Sequence, residues 1–513
     1  MFASRKSKAI ISSLGSLTLE VSTLISGLII PKIIISTFGS NVNGLICSIT
    51  QFLGYLSFFQ LGVGGVIRAA LYNPLANNNT KEISSVIKAS DSFYHRISII
   101  SLFYIVALSI IYPIIKDFPF SFVYISSLIW VLGLESIAQY ALGFSKRQLL
   151  YADQRSYIFD LSRAVAVILN VVLTVALIFL NFGIHFIKAV CTTLFVLQPV
   201  FINLYSKIYY RLKNNVEPNV SVLKNRFTAT YYSLAEFVHK KTDILVLTLF
   251  STLEEISVYS IYLIITIGIN QIISMATHSF QAALGNMYAK KETDRFHQAF
   301  RVYVLLVHLI TAIVFTTNLC MINSFVKLYV ADVSDANYYR PVFSFFIVSA
   351  EMLYCFRTPY QAIIFVAGHF KETQNGAIIE AVVNLVISVA LVFKYGIVGV
   401  AIGTVIAMTY RTFYLAHYLR RNIVSIDYSY SIKRYAISII TVLTLYALFT
   451  AFVTPPDSFY GWAIMAAITT IVFSIIVFSI NSLFYPKDVS VFLNGVLQLI
   501  ESISRHLSKE QHI

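Results

Sequence analysis

Apolar stretches of about 20 residues recur from one end of the chain to the other, and no polar stretch between them is long enough to form a soluble domain. A helix of about that length crosses the hydrocarbon of a bilayer. Only helices and closed barrels satisfy every backbone polar group there. With a window of that size, spans are expected near 9–36, 44–71, 93–115, 121–143, 157–180, 184–206, 227–250, 256–284, 299–322, 341–366, 374–393, 396–417, 435–453 and 461–484, fourteen in all. Charged residues make up 12% of the chain and apolar ones 57%, about half the charged share of a soluble protein, which excludes a soluble fold.

The net charge of +14 would suggest nucleic acid in a soluble protein, but here its placement sets topology, and no nucleic-acid partner is expected. Alternate connections hold 27 Lys and Arg on one side against Lys116, Lys188, Lys327, Arg340 and Lys394 on the other. The positive-inside rule therefore places both termini in the cytoplasm. Six basic residues, Lys32, Arg68, Lys240, Lys241, Arg357 and Arg411, fall within spans or at their edges. The basic start at Arg5, Lys6 and Lys8 leads into an apolar stretch without a cleavage pattern, so it is expected to be a retained first helix. The outer connections are short, the longest running over 323–340, which leaves no room for an outer catalytic domain. Cys47, Cys191, Cys320 and Cys355 sit in apolar runs without a C-x-x-C pair and signal neither disulfides nor a metal site. After the last span, Val491, Phe492, Leu497, Ile500, Ile503 and Leu507 recur at roughly helical period, fitting either an amphipathic helix on the cytoplasmic surface or a soluble tail helix.

Sliding the sequence against itself by 214 residues aligns NVVLTVALIF, from Asn170, with NLVISVALVF, from Asn384, six of ten positions being identical. Each segment runs into a glycine, Gly183 and Gly396; one residue out of that register Gln148 falls on Gln361 and Gln198 on Arg411, and, with a gap, Glu135 near Glu351. The offset covers six helices, an even number, so the two halves share one orientation and are related by an axis along the membrane normal. The expected architecture is an all-α polytopic membrane protein: six-helix bundles over 1–220 and 221–425, helices 13 and 14 over 426–485, and a cytoplasmic tail over 486–513. Two such bundles facing a midplane cleft form a transporter architecture.

No phosphate-binding loop, zinc-protease pair, nucleophile elbow or paired-carboxylate loop is present, so neither an enzyme nor a cofactor or metal site is signalled. Gly62-Val63-Gly64-Gly65 sits within the second span, where it lets helices approach closely. The seventh span places Glu236, His239, Lys240, Lys241 and Asp243 on one helical stripe through their i,i+3 and i,i+4 spacings. They are either structural ion pairs with snorkelling lysines or the lining of a hydrated cavity, since intramembrane charges normally face a pathway. Arg68 lies near the cytoplasmic end of its span and can snorkel or face substrate. Arg357 lies two residues before Pro359, which is expected to break the helix. Arg411 supplies a cation where the first half has an amide, an asymmetry suited to an anionic ligand. Glu20 precedes Pro31 and Lys32, so the first helix is expected to be kinked and partly hydrated. Glu135 and Glu351 are either hydrogen-bonding or proton-coupling groups, and His278 and His308 are expected to be core histidines.

Pro31 with Gly39 and Gly44, FQLGVGGVIRAAL, Lys241-Thr242-Asp243 through Val258-Tyr259-Ser260, and Gly396, Gly399, Ala401, Gly403 and Thr404 with Arg411 resemble stretches of the multidrug/oligosaccharidyl-lipid/polysaccharide exporter superfamily. Within it they resemble the bacterial polysaccharide repeat-unit flippases of O-antigen (Wzx) type, over nearly the whole chain. The resemblance implies translocation of an undecaprenyl-diphosphate-linked oligosaccharide across the bacterial cytoplasmic membrane by alternating access. Lys240, Lys241, Arg357, Arg411 and Arg68 would meet the diphosphate, and Glu236, Asp243 and Glu20 would couple transport to H+ or Na+. Membrane lipids and the glycosyltransferases and polymerase of the same pathway are the implied partners. A peptidoglycan-precursor flippase and a drug/cation antiporter of the superfamily remain alternatives, as does a polytopic glycosyltransferase or polymerase.

Overall fold

A computed structural model of the chain describes residues 5–60, 62–213, 215–223, 242–424 and 428–510. It is 88% helix with no strand among the described residues. Among the described residues, twelve helices are long and apolar enough to cross a membrane. A further one, Pro341–Ala367, is 27 residues long and carries Glu351 and Arg357. Of the expected span over 227–250, only 242–250 lies within the described residues.

The helices are α1 (Arg5–Phe38), α2 (Ser40–Gly54), α3 (Val63–Ala76), α4 (Thr80–Ile115), α5 (Phe122–Ala138), α6 (Phe144–Ala152), α7 (Ser156–Phe179), α8 (Ile184–Tyr209), α9 (242–250), α10 (Leu253–Ala289), α11 (Thr293–Tyr329), α12 (Pro341–Ala367), α13 (Phe370–Tyr395), α14 (Ile397–Asn422), α15 (Tyr428–Phe452), α16 (Phe459–Phe484) and α17 (Pro486–Glu510). Their starts follow local chemistry. The Asn79 side chain accepts from the backbone N–H of Glu82 to cap α4, and Ser121 and Ser458 cap α5 and α16 in the same way. Pro341 opens α12 at a position whose N–H needs no intrahelical partner.

Contacts divide the chain into two compact units. Unit 1 comprises Met1–Ile264 and Asp332–Ala336; unit 2 comprises Ile265–Ala331 and Asn337–Ile513. In unit 1, α1 lies along α7, α8 packs on α5 and α7, and α3 packs on α6. The Asn43 amide donates to the Ser257 hydroxyl at 2.8 Å, joining α2 to α10. Gly44 allows this approach, because a Cβ there would lie 1.9 Å from the Leu253 carbonyl oxygen. In unit 2, α14 packs between α12 and α13, and α11 meets α12, α15, α16 and α17.

Three expectations are corrected. The span expected over 44–71 is interrupted: α2 passes into a 3-10 turn over Tyr55–Gln60, and α3 restarts after Gly62, which holds a φ of +75° that a Cβ would oppose. The helix expected to end at 143 instead continues through a π-helical turn, Gln139–Gly143, into α6, so Lys146 and Arg147 belong to a helix rather than to a connection. Pro359 lies inside an unbroken α12, as Pro31 does inside α1. Large apolar side chains that face outward, among them Phe179 at 82%, Phe452 at 82% and Leu483 at 76% exposure, form a surface suited only to hydrocarbon.

Candidate functional site

In unit 1 a glycine again sets the approach of two helices. A Cβ at Gly64 would lie 3.0 Å from the Gln148 amide, so α3 and α6 come close, and Arg68, one turn beyond Gly64, donates to the Gln148 side-chain oxygen at 3.1 Å. Arg68 and Arg147 both lie against Tyr151, with guanidinium carbons 6.0 and 5.3 Å from the ring centroid. Arg147 also covers the ring of Phe159 at 4.5 Å. Phe159 is held by a buried cluster with Leu150 and Ile202. Among the described residues, neither Arg68 nor Arg147 has a carboxylate within ion-pair distance, whereas Arg155 sits 2.8 Å from Asp153 and Arg163 sits 2.6 Å from Glu135. Two guanidinia on one aromatic side chain, with no ion-paired carboxylate among the described residues, are suited to attract an anion, and their planar donor forks suit phosphate oxygens.

Acids line the adjoining face. Gly15 brings α1 onto α7, since a Cβ there would lie 3.1 Å from Tyr157. Ser16 then donates to Asp160 at 2.7 Å, and Tyr151 donates to the other oxygen of the same carboxylate at 2.9 Å. Glu20 is one turn along α1 from Ser16 and lies within the electrostatic reach of Asp160. Tyr151 thus touches both the cationic pair and the acid. Lys146, on the opposite side of α6, is buried against Asp91 at 2.5 Å and is internally neutralised. Asp243 accepts from the Tyr259 hydroxyl at 2.6 Å.

In unit 2, Gly376 faces the ring of Tyr414, where a Cβ would lie 2.3 Å from a ring carbon, so α13 and α14 pack tightly. One turn on, Glu380 meets two arginines: Arg357 Nη1 is 2.5 Å from Oε1, and Arg411 Nε is 3.5 Å from Oε2. Arg411 also donates to the Thr373 carbonyl at 3.1 Å, and Arg357 stacks on Tyr354. All three members of this triad are buried. A second buried pair, Arg434 with Asp488 at 2.8 Å, fastens the first turn of α17 to α15 between the rings of Tyr430 and Tyr485. His308 is a core residue, bonded to Ser438 and stacked on Phe356.

The residues singled out from sequence therefore separate. Arg68 and Glu20 fall in the polar region of unit 1, while Arg357 and Arg411 share Glu380 in unit 2. Lys240, Lys241, Glu236 and His239 lie outside the described residues, as does the side chain of His278. Glu135 pairs with Arg163 and Glu351 accepts from Asn270 at 2.8 Å. Sequence reasoning missed Arg147, Tyr151, Asp160 and Glu380. The first two were assigned to a connection, although the run SKRQLLYA has the i,i+4 spacing of Arg147 and Tyr151 that a helix turns to one side.

No protein-family model and no curated protein sequence matches the chain. Solved structures do. The lipid II flippase MurJ in its inward closed conformation aligns with a TM-score of 0.67 at 15% identity, over 93% of this chain and 99% of that one. The Vibrio cholerae MATE transporter VcmN aligns with a TM-score of 0.57 at 14% identity, over 82% and 98%. A multidrug resistance MATE family transporter of the MOP superfamily, in its inward-facing conformation, aligns with a TM-score of 0.55 at 13% identity, over 80% and 98%. At these identities the likeness shows a shared fold.

Proposed function

We propose that the chain is a flippase that moves a polyprenyl-diphosphate-linked oligosaccharide from the inner to the outer leaflet of a bacterial cytoplasmic membrane by alternating access. The observation that carries this reading is the convergence of Arg68 and Arg147 on Tyr151 with no ion-paired carboxylate among the described residues. A diphosphate spreads its negative charge over two adjacent phosphates, so each guanidinium takes one. The excess of basic residues in alternate connections supports a cytoplasmic position for this end of unit 1, where such a substrate is loaded. Lys240 and Lys241 join the same set by proposal. The oligosaccharide of an O-antigen type repeat unit is the preferred cargo, and a peptidoglycan precursor shares the same anchor chemistry.

Cation coupling is assigned to Glu20 beside Asp160, with Asp243 and Glu236 as further carboxylates. Arg357 and Arg411 enter the same scheme through Glu380. When a substrate phosphate draws one arginine away, the carboxylate loses a counter-charge and takes up H+ or Na+ more readily.

Reconstituted proteoliposomes holding a fluorescent undecaprenyl-diphosphate oligosaccharide test the reading. The expected result is arrival of the sugar at the outer leaflet, scored by a membrane-impermeant glycosidase and accelerated by an imposed pH or sodium gradient. A chain that leaves the lipid unflipped but expels organic cations under the same gradient is a drug/cation antiporter, and the flippase reading is then wrong.

A further inference from the structure

In unit 2 the ends of α11, α12 and α15 and the turn into α16 enclose a cavity of about 600 Å³, within the range that holds a ligand of moderate size. One wall follows α11 from Leu319 to Lys327, about 12 Å at 1.5 Å per residue. Facing it, Tyr446, Phe449 and Val453 stand at i, i+3 and i+7 on α15. The cavity is therefore elongated along the helices, with apolar walls. Its mouth is charged: Lys327 and Asp457 form an exposed ion pair at 3.0 Å. Depth follows from the neighbouring helix ends, since α11 stops at Tyr329, α15 at Phe452, and α16 begins at Phe459. Trp462 donates its indole N–H to the Met321 carbonyl at 3.1 Å and Tyr339 lines the mouth, aromatic positions typical of the headgroup level.

We infer that this cavity binds a phospholipid whose zwitterionic head group carries a primary ammonium, as in phosphatidylethanolamine, with the ammonium on Asp457, the phosphate on Lys327 and an acyl chain between Leu319 and Phe449. The lip bears one charge of each sign. An anionic head group gains Lys327 but meets Asp457, so its attraction and repulsion nearly cancel, whereas a zwitterion matches both. A primary ammonium donates charge-assisted hydrogen bonds to a carboxylate, and a trimethylated one cannot. Separating the lip residues to admit the head costs little, because an exposed ion pair is weak. Inside a bilayer the chain finds equally apolar surroundings elsewhere, so selectivity rests on the lip. The inference concerns unit 2 residues alone and stands apart from the cargo assigned to unit 1.

Native mass spectrometry of the full chain, equilibrated in detergent with equimolar phosphatidylethanolamine, phosphatidylcholine and phosphatidylglycerol, is the test. One phosphatidylethanolamine per chain is expected, retained roughly fivefold over the other two, as charge-assisted bonds to the lip require. Lys327→Gln levels phosphatidylethanolamine with phosphatidylcholine, Asp457→Asn shifts the preference to phosphatidylglycerol, and both positions are exposed enough to leave folding intact. Thr450→Trp, which fills the cavity from α15, removes retention altogether. Glycerophosphoethanolamine, which has the head and no chains, displaces none of the bound lipid. Equal retention of the three lipids by the wild type, undiminished preference in Asp457→Asn, or retention of an added polyprenyl diphosphate in place of phosphatidylethanolamine overturns the inference.

Discussion

Arg147→Gln separates a substrate-binding role from a packing role. The guanidinium carbons of Arg68 and Arg147 lie 6.0 and 5.3 Å from the Tyr151 centroid, so they are at most about 11 Å apart and repel by at least about 1.5 kcal/mol at an effective dielectric of about 20. Removing Arg147 relieves that repulsion. It also removes two cation–π contacts, to Tyr151 and Phe159, worth about 0.5–1 kcal/mol each. The two effects offset, and Tm is expected to change little. Binding behaves differently: a charge-assisted bond to a phosphate contributes about 1.5–3 kcal/mol net, so the Kd for a polyprenyl diphosphate should rise about 10- to 150-fold. Equilibrium binding of radiolabelled lipid in detergent, at two salt concentrations, measures it. Arg155→Gln, which alters a cation already paired with Asp153, should leave Kd within about twofold. A lowered Tm with unchanged Kd for Arg147→Gln would refute the reasoning and make Arg147 a packing residue.

Glu380→Gln removes the carboxylate that Arg357 and Arg411 share and should destabilise unit 2 by about 3–5 kcal/mol, seen as a clear fall in Tm; an unchanged Tm means the triad is solvated. Gly44→Ala forces a methyl group to within 1.9 Å of the Leu253 carbonyl oxygen and should sharply reduce the yield of monodisperse protein, whereas normal yield denies the close approach of α2 to α10. Hydrogen bonding from the Lys32 ammonium holds the Asp332 carboxyl below its usual range, so the stability it contributes is present above about pH 4 and is lost as pH falls through the lowered folded-state value. With Asp332 exposed, the contribution is at most about 1 kcal/mol, and Asp332→Asn should abolish that part of the acid dependence of Tm. Cysteines at Asn78, Asn215 and Ser334, all exposed, should be labelled from the inside, the inside and the outside respectively, and any other pattern rejects the topology.

The apolar runs were enough to determine an all-helical membrane protein, because hydrocarbon leaves the backbone no other arrangement on this scale. A repeat is legible as a sequence pattern, NVVLTVALIF against NLVISVALVF. What hydropathy could not register was where a helix stops. The break at Gly62 depends on a single backbone dihedral, and the π turn at Gln139–Gly143 carries α6 onward through residues whose charge resembles that of a loop. Polar partners were equally hidden, because they come from helices far apart in sequence: Glu380 stands between Arg357 and Arg411, and Arg147 reaches the same ring as Arg68 only when α3 and α6 close over Gly64. Sequence determined which residues carry charge inside the membrane, since each such residue stands out against an apolar run. Whether a charge is already neutralised or still open to an anion was decided by tertiary packing alone, because neutralisation needs a second helix at a distance of a few ångströms.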